Sequence, residues 1–290
     1  MIKGAILFEY CQLFIFYKFM STKHEINITT TTMKQLFIIL FFCFLFSNIE
    51  AQPRELFTFS HGAIVRSDST KKEIALVFTG DEFGDGLSTI IETLKKQNVH
   101  GSFFFTGRFY RNTLFQPYLL QLYKNGNYLS LHSNNHLLYC DWNKRDSLLV
   151  TQDSFTTDLQ KNIEAIKALN IEVPEDKFFI PPYEWWNDSI ARWANAIGWQ
   201  LINYTPGIIT AADYTYPEMT NYKGSDTLMQ SLKQFEANNV SGLNGFIIII
   251  HAGTDPRRKD KLYNRLDELI NYLKKKDYEF KRIDELFDTK

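Results

Sequence analysis

The sequence predicts an α/β fold, a closed or nearly closed (β/α) barrel of about seven parallel strands in a single domain. Short apolar runs of strand length alternate along the chain with longer segments whose apolar residues have helical spacing. Strands that alternate with helices in this way form a parallel sheet joined by right-handed crossovers. No stretch of linker composition interrupts the pattern, so we expect one domain rather than two.

The predicted elements follow one another in a regular order. Apolar runs predict strands at residues 74–78, 102–105, 128–131, 178–180, 199–204, 245–250 and 278–283. Helical spacing predicts helices at residues 88–97, 114–125, 154–169, 189–197, 225–238 and 262–275. Ser88 or Thr89 can cap the first helix, and glycine follows the second helix at Gly126. Gly198 ends the fourth helix in the same way, and Pro181 stops the fourth strand.

The composition is that of a globular protein. The chain has 290 residues, of which 32 are basic, 33 are acidic and 44% are apolar, which is enough for one large domain or two small ones. No excess of positive charge predicts binding to nucleic acid, and no protein partner is implied. Aromatic residues make up 16% of the chain, which fits either a large core or a sugar-binding surface.

The N-terminal region, residues 1–51, has the features of a segment removed from the mature protein. Residues 33–35 give a short basic start, residues 36–46 are an apolar run, and Ala51 offers a small residue for cleavage. The run is too short to cross a bilayer comfortably, which favours a signal peptide starting at Met33 over an N-terminal membrane anchor. We therefore expect an exported protein whose domain spans residues 52–290.

Cleavage near Ala51 would leave Cys140 as the single cysteine of the mature chain, so no intramolecular disulfide is expected. Cys140 lies four residues after His136 and could in principle join a metal site. A small buried apolar residue is the commoner role for such a cysteine, and we favour it here.

Chemically reactive side chains follow directly after four of the predicted strands. They are Asp81 and Glu82 after the first strand, His132 after the third, residues 181–184 after the fourth and His251 after the sixth. In parallel α/β barrels the carboxyl ends of the strands meet at one face, where active sites form. His132 and His136 are four residues apart, so both imidazoles could reach one ion if the chain turns helical after Leu131. The pattern therefore predicts a site, with a metal ion, at this face.

Four motifs occur at these strand ends in a fixed order. They are Thr-Gly-Asp-Glu-Phe at residues 79–83, His-Ser-Asn-Asn-His at residues 132–136, Ile-Pro-Pro-Tyr-Glu at residues 180–184 and Ile-Ile-Ile-His at residues 248–251. Over residues 73–287 the chain thereby resembles the polysaccharide deacetylase family (carbohydrate esterase family 4), whose motifs are T-F-D-D-G, H-[ST]-x-x-H, R-P-P-Y-G and L-x-L-H. The resemblance implies a distorted (β/α) barrel and a metal-dependent enzyme that hydrolyses N- or O-acetyl groups on a polysaccharide or oligosaccharide.

The resemblance also implies roles for the matching residues. The implied metal ligands are Glu82, His132 and His136, with zinc favoured and cobalt or nickel as alternatives. The implied catalytic residues are Asp81 as general base, His251 as general acid and Tyr183, whose backbone N–H would stabilise the oxyanion. Pro182, Ile248 and Ile250 are implied around the substrate, the two isoleucines at the acetyl methyl.

Four further residues near these motifs are candidates from their chemistry alone. Trp185 and Trp186 are either a sugar-stacking platform or part of the core or barrel rim. Asp213 and Asp255 are candidates to orient His251.

The chain departs from the family pattern at several positions. Glu82 stands where the family has a second aspartate, and its extra methylene displaces the carboxylate. Ile180 stands where the family has an arginine that pairs with the base, and losing that cation should raise the pKa of Asp81. Glu184 replaces a glycine, and the family's D-x-x-D-W segment is not recognisable around residues 203–213.

Three functions are therefore open. A secreted metal-dependent carbohydrate deacetylase is favoured, because a binding module has no use for Asp81, both motif histidines and His251. The first alternative is a catalytically impaired barrel that acts as a carbohydrate-binding module through Trp185 and Trp186. The second is a metallohydrolase that cleaves another kind of C–N bond.

Overall fold

The sheet of this protein is built around one strand, β3, which spans Glu73–Gly80 and has its last seven residues buried. A computed structural model describes residues 56–288 of the chain. The signal-peptide prediction for residues 1–51 lies outside the described residues. Within residues 56–288, no helix combines the length and the apolar character needed to cross a membrane.

The described elements agree with the predicted order. The strands are β1 (Thr58–Ser60), β2 (Ala63–Arg66), β3 (Glu73–Gly80), β4 (Ser102–Phe105), β5 (Tyr128–Leu131), β6 (Phe178–Phe179), β7 (Gln200–Leu201), β8 (Ile247–His251) and β9 (Glu279–Phe280). The α-helices are α1 (Leu87–Gln97), α2 (Gly107–Arg111), α3 (Gln116–Lys124), α4 (Gln152–Lys167), α5 (Asp188–Ala196), α6 (Ser225–Asn238), α7 (Leu266–Lys274) and α8 (Ile283–Leu286). Short 3₁₀-helices span Pro182–Glu184, Thr210–Tyr214 and Leu262–Arg265.

The main sheet is parallel throughout. Hydrogen bonds join its strands in the order β7-β6-β5-β4-β3-β8, and β9 pairs with the first two residues of β3. The sheet curls into a half-barrel flanked by helices, which confirms the predicted (β/α) barrel in a single domain. The carboxyl ends of β3, β5, β6 and β8 consequently lie at one face, as the sequence predicted.

A hairpin that the sequence did not predict links β7 to β8. Strand β2 forms a parallel bridge from Ile64 to Ile202, just after β7. Thr205 then connects β2 to β8, because its hydroxyl donates to the carbonyl of Val65 at 2.6 Å and its N–H donates to the carbonyl of Ile247 at 3.1 Å. The segment expected to be a simple lead-in therefore bridges the two ends of the curled sheet.

The side chains of β8 alternate between two apolar clusters. Ile248 and Ile250 are fully buried in the larger cluster, which packs the sheet against the helices. Ile247 and Ile249 belong to the smaller cluster on the other side of the sheet. Because neighbouring residues of a strand point to opposite faces, Ile248 and Ile250 cannot share a side with His251. The structure thus places these two isoleucines in the core, away from the expected acetyl pocket.

The segment that carries the two motif histidines is a turn, so the helix considered from their spacing does not form. Residues 132–151 contain no helix, and Ser133 and His136 have positive φ angles of 70° and 54°. The carboxylate of Asp158 on α4 accepts the N–H groups of Asn134 at 2.7 Å and Asn135 at 3.2 Å. These side-chain acceptors satisfy the backbone of the turn, in which no helical hydrogen bonds form.

Asn162, one helical turn further along α4, holds the start of the same turn. Its Oδ1 accepts the N–H of His132 at 3.1 Å, and its Nδ2 donates to the carbonyl of Phe105 at 3.2 Å. The same turn also accepts hydrogen bonds from the start of α2: the N–H groups of Gly107 and Arg108 donate to the carbonyls of Ser133 and Asn134. Helix α4 therefore fixes both the histidines and the helix that carries Arg108.

We expect Asp158→Ala to lower the free energy of unfolding by about 2–4 kcal/mol, because the buried N–H of Asn134 and the partly buried N–H of Asn135 lose their charged acceptor. Urea denaturation followed by circular dichroism measures the change. Glu164→Ala, at an exposed position of the same helix, is the matched control and should change stability by less than about 0.5 kcal/mol. Equal stability of the two variants would contradict this account of the turn.

Candidate active site

A cavity of about 410 Å³ opens at the carboxyl ends of β3, β5 and β8. Its lining includes the polar residues Asp81, Glu82, His132, His136, Glu184, His251, Thr254 and Asp255. It also includes the aromatic and apolar residues Phe83, Trp142, Tyr183, Tyr214, Tyr216 and Met219. The three predicted catalytic residues and the three predicted metal ligands are therefore all brought to one cavity, as we expected from the strand ends.

The two motif histidines lie side by side, with ring centroids 5.0 Å apart. The Nδ1–H of His132 donates to the carbonyl of Ile180 at 2.9 Å, which leaves the Nε2 lone pair unprotonated. Burial lowers the pKa of His132 to about 3 and that of His136 to about 4. Both imidazoles are consequently neutral near pH 7, the form in which histidine binds metal ions.

Arg108 pairs with the predicted base and corrects one expectation drawn from the sequence. Its guanidinium forms two hydrogen bonds to the carboxylate of Asp81, one from Nε at 2.5 Å and one from Nη2. Burial raises the pKa of Asp81, but the bonds from Arg108 and the nearby His136 outweigh it, so this pKa lies below its ordinary value. The pKa of Asp81 is therefore not raised by the presence of Ile180, because Arg108 supplies a cation from another strand end.

His251 is held by Asp213, from the 3₁₀-helix Thr210–Tyr214. The carboxylate of Asp213 accepts the Nδ1–H of His251 at 2.5 Å and the backbone N–H of the same residue at 3.0 Å. Burial lowers the pKa of His251, but Asp213 and Glu184 outweigh it and raise that pKa to about 9. Of the two candidates to orient His251, Asp213 does so, whereas Asp255 pairs with Arg257.

The Pro-Pro-Tyr-Glu motif forms a strained turn at the edge of the cavity. Tyr183 and Glu184 both have positive φ angles, 59° and 52°, a conformation that favours glycine and is costly for other residues. Burial raises the pKa of Glu184 to about 7, although His251 acts in the opposite direction. The structure therefore retains a carboxyl group beside His251 at the position where the family pattern has glycine.

A family comparison accounts for this arrangement of motifs. The family model described as Polysaccharide deacetylase matches residues 66–202, which contain the first three of the four motifs. This part of the chain resembles the polysaccharide deacetylase family, with the departures expected of a divergent member.

Several solved structures share the fold of this chain. Wild-type BA3943 from Bacillus anthracis, described as a CE4 family pseudoenzyme, is 22% identical, with a TM-score of 0.61 over 79% of this chain and 70% of that chain. PdaA from Bacillus subtilis, a family 4 carbohydrate esterase, is 21% identical, with a TM-score of 0.60 over 78% and 85%. An uncharacterized 30.6 kDa protein in the fumA 3′ region of Geobacillus stearothermophilus is 25% identical over 78% of this chain and 75% of its own length.

The metal ligands implied by the family fit a divalent ion in their chemistry but are only partly assembled. Neutral His132 and His136 are suitable donors, and the Nδ1 of His132 is already fixed by a backbone carbonyl, as is common in metal sites. Among residues 56–288, however, no three His, Cys, Asp or Glu side chains are grouped so as to hold one ion. Glu82 is exposed, and the carboxylate beside His136 is that of Asp81, at 3.8 Å. The role of Glu82 therefore stays a prediction.

None of the five predicted substrate-binding residues lines the cavity. Pro182 is buried, and the indole N–H of Trp186, which is 4% exposed, donates to the carbonyl of His61. Trp186 therefore belongs to the core, the alternative that the sequence left open. Trp185 does not line the cavity; its indole N–H donates to the carbonyl of Asp141 at 3.2 Å, and its ring packs against that of Trp142. Cys140 is fully buried, as expected.

Several residues that line the cavity or contact its lining were missed by the sequence analysis. Arg108 follows β4 directly, so the rule that reactive residues follow strand ends could have found it. Trp142, Tyr214, Tyr216 and Met219 come from segments without β-strands, and no sequence signal marks them. Their position depends on how the long loops fold over the barrel.

We expect Asp213→Asn to destabilise the protein most at neutral and acidic pH. Because the folded-state pKa of His251 is raised from 6.5 to about 9, its protonated form contributes stability that is complete below pH 6.5 and is lost as the pH rises through about 9. The loss in free energy of unfolding should be on the order of 2–3 kcal/mol at pH 6 and should shrink towards pH 10. Urea denaturation at each pH measures it.

Asp255→Asn is the matched control, because Asp255 also lines the cavity but has no contact with His251 among those described. Its effect on stability should be small and nearly constant between pH 6 and pH 10. A pH-independent loss in Asp213→Asn would show that the pairing with His251 does not hold.

Proposed function

We propose that this protein is a carbohydrate deacetylase that hydrolyses N- or O-acetyl groups on a polysaccharide or oligosaccharide. The observation that supports the proposal most is the pairing of two groups in opposite protonation states in one cavity. Asp81 has a lowered pKa and is ionised near pH 7, whereas His251 has a raised pKa and is protonated. A base and an acid held ready at the same pH are what amide or ester hydrolysis requires.

The residues of the chain divide the reaction between them. Asp81 accepts a proton from the attacking water, and Arg108 holds its carboxylate in one orientation. His251 donates its proton to the leaving nitrogen or oxygen, and Asp213 holds the imidazole in the tautomer that allows this. The backbone N–H of Tyr183 is the proposed donor to the oxyanion. A divalent ion, with zinc favoured, would polarise the acetyl carbonyl when bound, and His132, His136 and Glu82 are the proposed ligands.

We also propose that the enzyme is exported from the cytoplasm. This proposal rests on the apolar run at residues 36–46 and on Ala51 as a cleavage position. Expression of the full chain with N-terminal sequencing of the secreted product tests it, and a mature chain that begins at residue 52 is the expected result.

The first test is acetate release from a panel of acetylated chitin, xylan and peptidoglycan fragments. We expect His251→Ala to lower kcat by about 10²–10⁴-fold, because it removes the general acid. His136→Ala should abolish both the activity and the binding of one zinc ion per chain, measured by elemental analysis of the reconstituted protein. His100→Ala, an exposed histidine away from the cavity, is the matched control and should retain both.

A non-catalytic carbohydrate-binding barrel is the second candidate. Two observations favour it: the described residues hold no group of three metal ligands, and wild-type BA3943, which has the same fold, is described as a pseudoenzyme. Glycan binding without acetate release, together with no bound ion after reconstitution with zinc, cobalt or nickel, would replace the deacetylase proposal with this one. Release of acetate from small amides alone would instead indicate a hydrolase of another C–N bond.

The pairing of Arg108 with Asp81 predicts the effect of a second set of variants. Arg108→Met should lower kcat about tenfold, because the freed carboxylate loses its fixed orientation. Arg108→Lys should recover part of the loss, since lysine restores the charge but not the two-pronged hydrogen bonding. The acetate-release assay measures both.

Arg111→Met, at the other end of the same short helix, is the control and should leave kcat unchanged. An Arg108→Met enzyme as fast as the wild type, or faster, would mean that the arginine restrains the base rather than positions it.

A further inference from the structure

Trp142 is an exposed tryptophan on the rim of the cavity. Half of its surface, 52%, is open to solvent, although it comes from a polar segment without helix or strand. Its ring centroid lies 5.6 Å from that of Tyr183, with an interplanar angle of 79°. It also lies 5.6 Å from that of Trp185, with an interplanar angle of 31°. Tyr183 is also exposed, by 45%. An open cluster of aromatic rings at a cavity mouth is the kind of surface that binds a ligand.

The cluster is held in place from behind. The guanidinium of Arg145 lies 3.6 Å from the centroid of the Trp185 ring, and the indole N–H of Trp185 donates to the carbonyl of Asp141. The carboxylate of Asp141 accepts the N–H groups of Asn143 and Lys144, both at 2.8 Å, which closes a turn around Trp142. A ring fixed by such contacts before binding loses little freedom when a ligand stacks on it.

The position of Trp142 relative to the reactive groups decides what it can bind. The ring centroids of Tyr183 and His136 are 4.3 Å apart, so Tyr183 lies directly beside the reactive centre. Trp142 contacts Tyr183 rather than His136, so it lies one aromatic ring further from the reactive centre. A single acetylated sugar at the centre would meet Tyr183, whereas Trp142 is placed to meet the sugar linked to it.

The rest of the cavity lining has the mixed character that a saccharide requires. Tyr214 is 45% exposed, and its ring centroid lies 5.8 Å from that of His251. The guanidinium carbon of Arg257 lies 3.8 Å from the ring centroid of Tyr216. The cavity lining also contains the carboxyl groups of Asp81, Glu82, Glu184 and Asp255. Sugar rings present apolar C–H faces to aromatic side chains and hydroxyl groups to polar ones.

We propose that Trp142, supported by Tyr183 and Trp185, forms a stacking subsite for the sugar next to the acetylated one. This inference rests on the proposed function and extends it. The subsite contributes binding along the chain of the glycan and takes no part in the bond that is broken.

Kinetics on substrates of two sizes test the proposal. The probes are the β-1,4-linked tetrasaccharide of N-acetylglucosamine, an acetylated xylotetraose, and 4-nitrophenyl acetate as a small ester. In Trp142→Ala we expect KM for the tetrasaccharide that the enzyme uses to rise about tenfold, kcat to change less than twofold, and hydrolysis of 4-nitrophenyl acetate to remain unchanged. Trp142→Phe should restore most of the affinity because it keeps an aromatic ring.

Leu149→Ala is the matched control, since Leu149 is an equally exposed apolar residue of the same segment, at 52%, and does not line the cavity. Calorimetric titration with each tetrasaccharide separates the subsite from the chemistry. Binding that is lost in Trp142→Ala but kept in Leu149→Ala supports the subsite even if no acetate is released, in which case the proposed enzyme fails and the subsite stands.

Three results would overturn the subsite. One is a Trp142→Ala enzyme with wild-type KM for the tetrasaccharide, which would leave the deacetylase proposal intact. The second is an equal loss on 4-nitrophenyl acetate, which would show that Trp142 acts on the reactive centre. The third is a wild-type protein that neither binds nor hydrolyses either tetrasaccharide.

Discussion

The site depends on two polar side chains of α4 that hold the turn after β5. Asp158 and Asn162 are buried and provide side-chain acceptors for backbone N–H groups of this turn. Through this turn they fix His132 and His136, and through the carbonyls of residues 133 and 134 they also fix the start of α2. Because unpaired N–H groups are costly inside a protein, this network leaves the turn little freedom to rearrange.

Two ion pairs set opposite protonation states within the one cavity. Arg108 keeps Asp81 ionised, and Asp213 keeps His251 protonated, even though burial acts against the charged form in both cases. Each pair joins residues from different parts of the fold: Arg108 of α2 pairs with the residue after β3, and a 3₁₀-helix residue pairs with His251 of β8. The partners matter as much as the motif residues, because a carboxylate or imidazole buried alone would lose its charge. The aromatic rim around Trp142 adds a second, uncharged layer outside these pairs.

Much of the fold and of the site was predictable from local pattern. The apolar runs located β3, β4, β5 and β8, and the helical spacing located α6 at its observed ends. The same rule of strand ends brought Asp81, His132 and His251 to one cavity. The predictions failed where partners come from distant sequence: Ile180 gave no sign that Arg108 would replace the missing arginine. The i, i+4 spacing of the histidines suggested a helix because nothing local showed that Asp158 would satisfy the backbone of a turn.

The sequence by itself determined the α/β class, the order of the elements and the residues that follow each strand, since these depend on the periodicity of apolar side chains along the chain. Only the tertiary structure decided which of those residues act together. It put Ile248 and Ile250 into the helix-facing core, placed Trp186 in the core and brought Trp142 to the cavity rim. It also left Glu82 outside any group of three metal ligands among the described residues. The reason is physical: pairing, burial and pKa are set by neighbours in space, and those neighbours lie tens of residues apart in the chain.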